Sequence, residues 1–139
     1  QYECIMGSMC YGVSNDNSDL DIYGFCIPKK EDIFPHLAGH INGFGTKPQG
    51  FEVWTEHHID DPEAGTQYDF AIYGIVKYFQ LLMDNNPNMI DSLFVPVNYI
   101  THQTPIAQMV RDKRHIFLHK GSFHKFKGYA YSQLHKANI

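Results

Sequence analysis

A chain of 139 residues, 43% hydrophobic and 14% aromatic, can bury one compact core, and 19% of charged residues is too few for a disordered chain. No apolar run approaches the roughly 20 residues of a membrane-spanning helix, so no membrane partner is expected. The net charge of −4 argues against a uniformly basic nucleic-acid binder, yet it averages two unlike halves: residues 1–69 carry twelve Asp/Glu against three Lys, and residues 70–139 carry eight Lys/Arg against three Asp.

Residues 2–6 read as a strand ended by Gly7-Ser8. Residues 14–18, Ser-Asn-Asp-Asn-Ser, are turn formers whose short polar side chains bond nearby backbone. Residues 19–27 alternate with period two, with Leu20, Ile22 and Gly24 on one face and Asp19, Asp21, Tyr23 and Phe25 on the other. Pro28-Lys29-Lys30 breaks that strand, and residues 38–50, rich in Gly and Pro, read as a loop. Residues 51–58 alternate weakly as a strand, 60–65 turn, and 68–72 form a further short strand. From Tyr73 the period becomes helical, and Ile75, Val76, Phe79, Leu82 and Met83 form a stripe reaching about Asp84.

Asn86-Pro87 predicts a helix over residues 87–94, and Thr104-Pro105 predicts another to about Arg114. In each, a short polar side chain can cap the first free N–H groups and Pro fits the first helical position. Ser122 is expected to cap a last helix bearing Phe126, Tyr129, Ala130, Gln133 and Leu134 as a stripe. The aromatic set Phe123, Phe126, Tyr129 and Tyr131 is expected to be core. Strands followed by helices predict an α+β fold, a small mixed or antiparallel sheet with helices packed on it and a helical C-terminal part. Cys4, Cys10 and Cys26 are odd in number and lack a C-x-x-C spacing, so free buried thiols in a reducing cytoplasm are expected.

The chemistry concentrates in Ile5-Met6-Gly7-Ser8, ten connecting residues, and Asp19-Leu20-Asp21-Ile22. Residues i and i+2 of a strand point the same way, so Asp19 and Asp21 project together. Two adjacent carboxylates are costly unless a cation joins them, and Mg²⁺ prefers hard carboxylate oxygens, water and phosphate. Gly7 lets a phosphate approach the backbone, whose N–H groups, with the Ser8 hydroxyl, can hold its oxygens. In outline this is a nucleoside-triphosphate site.

These residues resemble a family. Hydrophobic-Gly-Ser, about ten residues, then Asp-hydrophobic-Asp-hydrophobic is similar to the signature of the polymerase-beta-like nucleotidyltransferase superfamily. The longer strings Met6-Gly7-Ser8-Met9-Cys10-Tyr11-Gly12 and Asn17-Ser18-Asp19-Leu20-Asp21-Ile22-Tyr23-Gly24-Phe25 resemble its branch of predicted nucleotidyltransferases from bacteria and phages. Lys77-Tyr78-Phe79, Asn86-Pro87-Asn88, Asp91-Ser92-Leu93-Phe94, Tyr129-Ala130 and Gln133-Leu134 extend the likeness over most of the chain. Met9 stands where that branch often has Arg, which removes one phosphate contact.

The resemblance implies a catalytic core over residues 1–85 and a helical extension of the same domain over 86–139, with members tending to run on into further helices beyond the equivalent of Ile139. It implies transfer of a nucleoside monophosphate from an NTP, with ATP expected, onto a hydroxyl. The ions would be Mg²⁺ or Mn²⁺, bound by Asp19, Asp21 and a third carboxylate on a neighbouring strand. Among Glu52, Glu56, Asp60, Asp61 and Asp69, Asp69 is favoured, and Glu56 comes second. Gly7, Ser8, Tyr11 and Lys77 are the expected phosphate contacts. The acceptor stays open between protein, RNA and small molecule, and the location implied is the bacterial or host cytoplasm. The alternative is an inactive nucleotide- or nucleic-acid-binding module.

Two other clusters stand out. Glu56-His57-His58-Ile59-Asp60-Asp61 has metal-ligand residue types, but adjacent histidines on a strand point to opposite faces and suit one ion poorly. Residues 111–127 hold Arg111, Lys113, Arg114, Lys120, Lys125 and Lys127 among Phe117, Phe123 and Phe126, a patch suited to a triphosphate tail or a nucleic-acid acceptor.

Overall fold

The computed structural model describes residues 1–6, 20–41, 43–45, 51–63 and 65–137. Five strands form one mixed sheet among them: β1 (Tyr2–Met6), β2 (Leu20–Cys26), β3 (Val53–Asp61), β4 (Thr66–Gly74) and β5 (Ile100–Gln103). The strand order is β3-β4-β2-β1-β5. β2 and β4 run parallel, and every other neighbouring pair is antiparallel. The helices are α1 (Lys30–Ile33), α2 (Ile75–Met83), α3 (Pro87–Phe94), α4 (Pro105–Asp112) and α5 (Lys120–Ala137). The architecture is the expected α+β one. The sheet also takes β5 from the C-terminal part, a strand too short and polar to announce itself in the sequence.

Alternation decides which face is covered. Tyr2, Cys4 and Met6 of β1 pair with Phe25, Tyr23 and Asp21 of β2, so all six side chains share one face. Tyr2, Cys4, Met6 and Phe25 on that face join Tyr78 and Leu82 of α2 and Met89, Ile90 and Leu93 of α3 in the core. Phe25 stacks on Tyr78 at 4.9 Å between ring centres. Two core tyrosines are paired through one serine: the Tyr2 hydroxyl donates to the Ser92 carbonyl at 2.6 Å, and the Tyr78 hydroxyl meets Ser92 Oγ. Gly24 lets β1 and β2 lie close, since a Cβ there would stand 1.9 Å from the Tyr2 carbonyl oxygen.

The caps follow the sequence where the signature is local. Asn86 accepts from the N–H groups of Asn88 and Met89, and Thr104 accepts from that of Ala107. The last helix differs from expectation. It starts at Lys120, and His119 Nδ1 accepts the Gly121 N–H at 3.0 Å. Ser122 reaches back instead, accepting the His119 N–H at 3.0 Å, a reciprocal capping arrangement. The aromatic stripe of α5 is not core either. Phe126 packs against the core, whereas Phe123 is 66% and Tyr131 63% exposed. Cys4 is buried, with its Sγ donating to the Ser92 carbonyl at 3.5 Å, and Cys26 is half-buried, while Cys10 lies outside the described residues. No helix among the described residues is long and apolar enough to cross a membrane.

Candidate active site

Asp21 is the second residue of β2, Asp69 is the fourth of β4, and the two are register partners in the parallel ladder. Partners on adjacent strands project to the same face with about 4.8 Å between strands, so the two carboxylates stand side by side. Met6, the last residue of β1, is paired with Asp21 from the other side, so the chain passes into Gly7-Ser8 at this end of the sheet. Gly7, Ser8, Tyr11 and Asp19 lie outside the described residues.

β3 treats Asp69 unusually. Glu56 pairs with Phe70 and Ile59 with Tyr68, so His57 and His58 together oppose the single residue Asp69. This is a β-bulge, one residue too many on the edge strand. His58 adopts a left-handed φ of 56°, and its backbone N–H donates to Asp69 Oδ1 at 2.9 Å. His57 Nδ1 lies 3.6 Å from the same oxygen, with its ring largely exposed. Neither contact was visible in the sequence, where His57-His58 had metal-ligand residue types in a spacing that suits one ion poorly. The bulge depends on pairing with a strand eleven residues on and has no local signature.

The other candidates fall elsewhere. Glu56, paired with Phe70, points to the opposite face from Asp21 and Asp69. Asp60 accepts from Gln67 Nε2 at 2.8 Å and Asp61 from the Glu63 N–H at 3.1 Å, both within the β3–β4 hairpin. Among the described residues no three His, Cys, Asp or Glu side chains form a group that could hold a metal, so the run from Glu56 to Asp61 is not such a cluster. Lys77 is also separate. Gly74, which ends β4, lies five residues past Asp69, about 16 Å at a strand's rise. Lys77 follows in the first turn of α2 and lines a hollow with Asp32, Glu52, Phe51 and Gln80.

Tyrosines border the acid pair. Burial pushes the Tyr23 hydroxyl's pKa up, and the neighbouring Tyr73, Asp21 and Tyr129 groups add to the rise. Tyr23 is therefore a neutral donor beside Asp21, two residues along the same strand face. Tyr73 meets Tyr23 edge to face at 6.5 Å.

The donor set suits one class of ion. Two carboxylates at matched positions offer hard oxygens, which favour Mg²⁺ or Mn²⁺ over softer metals. Both described contacts of Asp69 fall on Oδ1. Asp21 and Asp69 thus fit a divalent site to which Asp19 would add a third carboxylate.

Comparison with known protein families assigns the class, a polymerase-beta-type domain. The chain belongs to the RNA repair pathway DNA polymerase beta family, which it matches over residues 1–138. The family name points to a nucleotidyltransferase of the polymerase beta type. No curated protein and no solved structure matches the chain.

Proposed function

We propose that this domain is a metal-dependent nucleotidyltransferase that moves a nucleoside monophosphate from an NTP, ATP foremost, onto a hydroxyl and releases pyrophosphate. The observation that carries the reading is the equal-register pairing of Asp21 and Asp69 in a chain of the polymerase beta family. Asp19, Asp21 and Asp69 would hold Mg²⁺ or Mn²⁺, which supplies charge neutralisation on the triphosphate and a more acidic acceptor hydroxyl. Gly7, Ser8 and Tyr11 bind the phosphates, and Lys77, at the other end of β4, has no part in this reading.

The acceptor oxygen bonds to the α-phosphorus as the bond from that phosphorus to the leaving bridging oxygen breaks. The electron pair departs with pyrophosphate, and the acceptor proton passes to solvent water. The protein's own contribution is alignment of the two reactants and compensation of charge. A bacterial or phage-infected cytoplasm is the setting this reading implies.

The acceptor we favour is an RNA hydroxyl. α5 contains no Asp or Glu across its eighteen residues. Lys127 Nζ lies 5.8 Å from the Phe123 ring centre and 5.9 Å from that of Tyr131, and both rings face solvent. Exposed rings interleaved with cations are suited to stacking bases while neutralising phosphates. The family's name, with its reference to RNA repair, supports the same choice.

The test is incubation of the protein with Mg²⁺, each α-labelled NTP and a short RNA bearing free hydroxyl ends. Label transfer and pyrophosphate release are expected, and both should vanish in Asp21→Asn. Nucleotide binding without pyrophosphate release would instead indicate a non-catalytic binding module.

A further inference from the structure

The geometry points to His58 as a positioning residue for Asp69, acting through its backbone N–H and its left-handed conformation rather than its ring. This inference rests on the reading of Asp69 as a metal-binding carboxylate. A carboxylate on a regular central strand has several rotamers open to it, because neighbouring backbone N–H groups are engaged in the ladder. The bulge changes this. Two residues, His57 and His58, face Asp69 where one would ordinarily pair. The positive φ of His58 turns its N–H out of the ladder and onto Asp69 Oδ1 at 2.9 Å. One carboxylate oxygen is thereby committed to the edge strand, and Oδ2 is the oxygen left for an ion shared with Asp21.

A non-glycine residue in the left-handed region is uncommon, and the bulge accommodates one here at a conformational cost. Its compensation here is the bond to Asp69. His57, 3.6 Å away and mostly exposed, adds little by comparison.

The variants His58→Gly, His58→Asn and His58→Val separate conformation from chemistry. Gly and Asn tolerate the left-handed region and keep the N–H, so Mn²⁺ affinity, read by electron paramagnetic resonance, should stay near that of the unaltered protein. The β-branched Val disfavours that region, so Mn²⁺ affinity should fall by about 10- to 100-fold, the usual effect of losing a partner that orients a ligand. An unchanged affinity in folded His58→Val overturns the proposal.

A second measurement does not depend on that variant folding. Hydrogen exchange of the His58 amide should accelerate several-fold to about tenfold in Asp69→Ala, which removes its acceptor. Unchanged exchange also overturns the proposal. If the unaltered protein binds no Mn²⁺, the metal reading itself fails, whereas binding that survives in His58→Val removes the positioning role alone.

Discussion

Asp69 lies directly across from Asp21 on the neighbouring parallel strand, although a loop, a short helix and all of β3 separate them in the chain. Replacing Asp69 by Asn keeps an acceptor for the His58 N–H and removes the charge. Mn²⁺ affinity should fall by more than the roughly 10- to 100-fold typical of changes in residues that merely orient a ligand. Secondary structure by circular dichroism should be unchanged. Titration of Mn²⁺ into the Asp69→Asn protein checks this, and wild-type affinity would remove Asp69 from the site.

The pair Tyr78 and Ser92 offers a cleaner energetic test, since both are fully buried. Ser92→Ala leaves the Tyr78 hydroxyl without that partner, so stability should fall by about 1–3 kcal/mol. Adding Tyr78→Phe removes the orphaned hydroxyl. The double variant should then lose less than the sum of the two single ones, a coupling that denaturant titration of all four proteins would resolve.

Burial pushes the hydroxyl pKa values of Tyr2, Tyr23, Tyr73 and Tyr78 upward from 10.0. The folded protein therefore retains phenolic protons that the unfolded chain releases above that value. The resulting stability is fully present below about pH 10 and is lost as pH rises, by up to roughly 1.4 kcal/mol per pH unit for each of the fully buried Tyr2 and Tyr78 and by less for the partly exposed Tyr23 and Tyr73. Thermal melts at pH 8 to 11 should show the fall. Tyrosinate absorbance should rise with the unfolding transition rather than before it for the buried rings.

Asn85 joins a conformational requirement to a set of bonds. It has a φ of 54°, is fully buried, and donates to the Phe117 carbonyl at 3.0 Å, tying the α2–α3 turn to the segment before α5. Asn85→Gly keeps the φ and loses the bonds, at a cost of about 1–3 kcal/mol. Asn85→Ala should be worse by about a further 1–2 kcal/mol, because a Cβ strains the left-handed region. Equal stability of the two variants in chemical denaturation would contradict this ordering.

Local chemistry was legible. β1 and α3 begin and end where the pattern of Tyr2 to Met6 and the Asn86-Pro87 signature put them. β2 was recognised because Leu20 to Phe25 alternates. β5 was missed because Ile-Thr-His-Gln has neither length nor alternation, and only its pairing with β1 makes it a strand. The start of α5 was misread because His119 caps it through a ring nitrogen, a role that Ser122 signals more conventionally.

At the site, the choice of Asp69 over Glu56 rested on resemblance. Its register with Asp21 belongs to the assembled sheet, as does the fact that Glu56 faces the other way. The likeness that suggested Lys77 could not measure the length of β4, which carries that residue to the far end of the sheet.

Among the described residues β3 is an outermost strand, with Val53 and Trp54 substantially exposed along it. An open margin of this kind offers a row of hydrogen-bonding groups to any second molecule that can lie flat against it. The extra residue at His57–His58 bends that row, so two copies brought margin to margin find their donors and acceptors out of step. A distortion that grips a carboxylate on its inner side thus discourages polymerisation on its outer one.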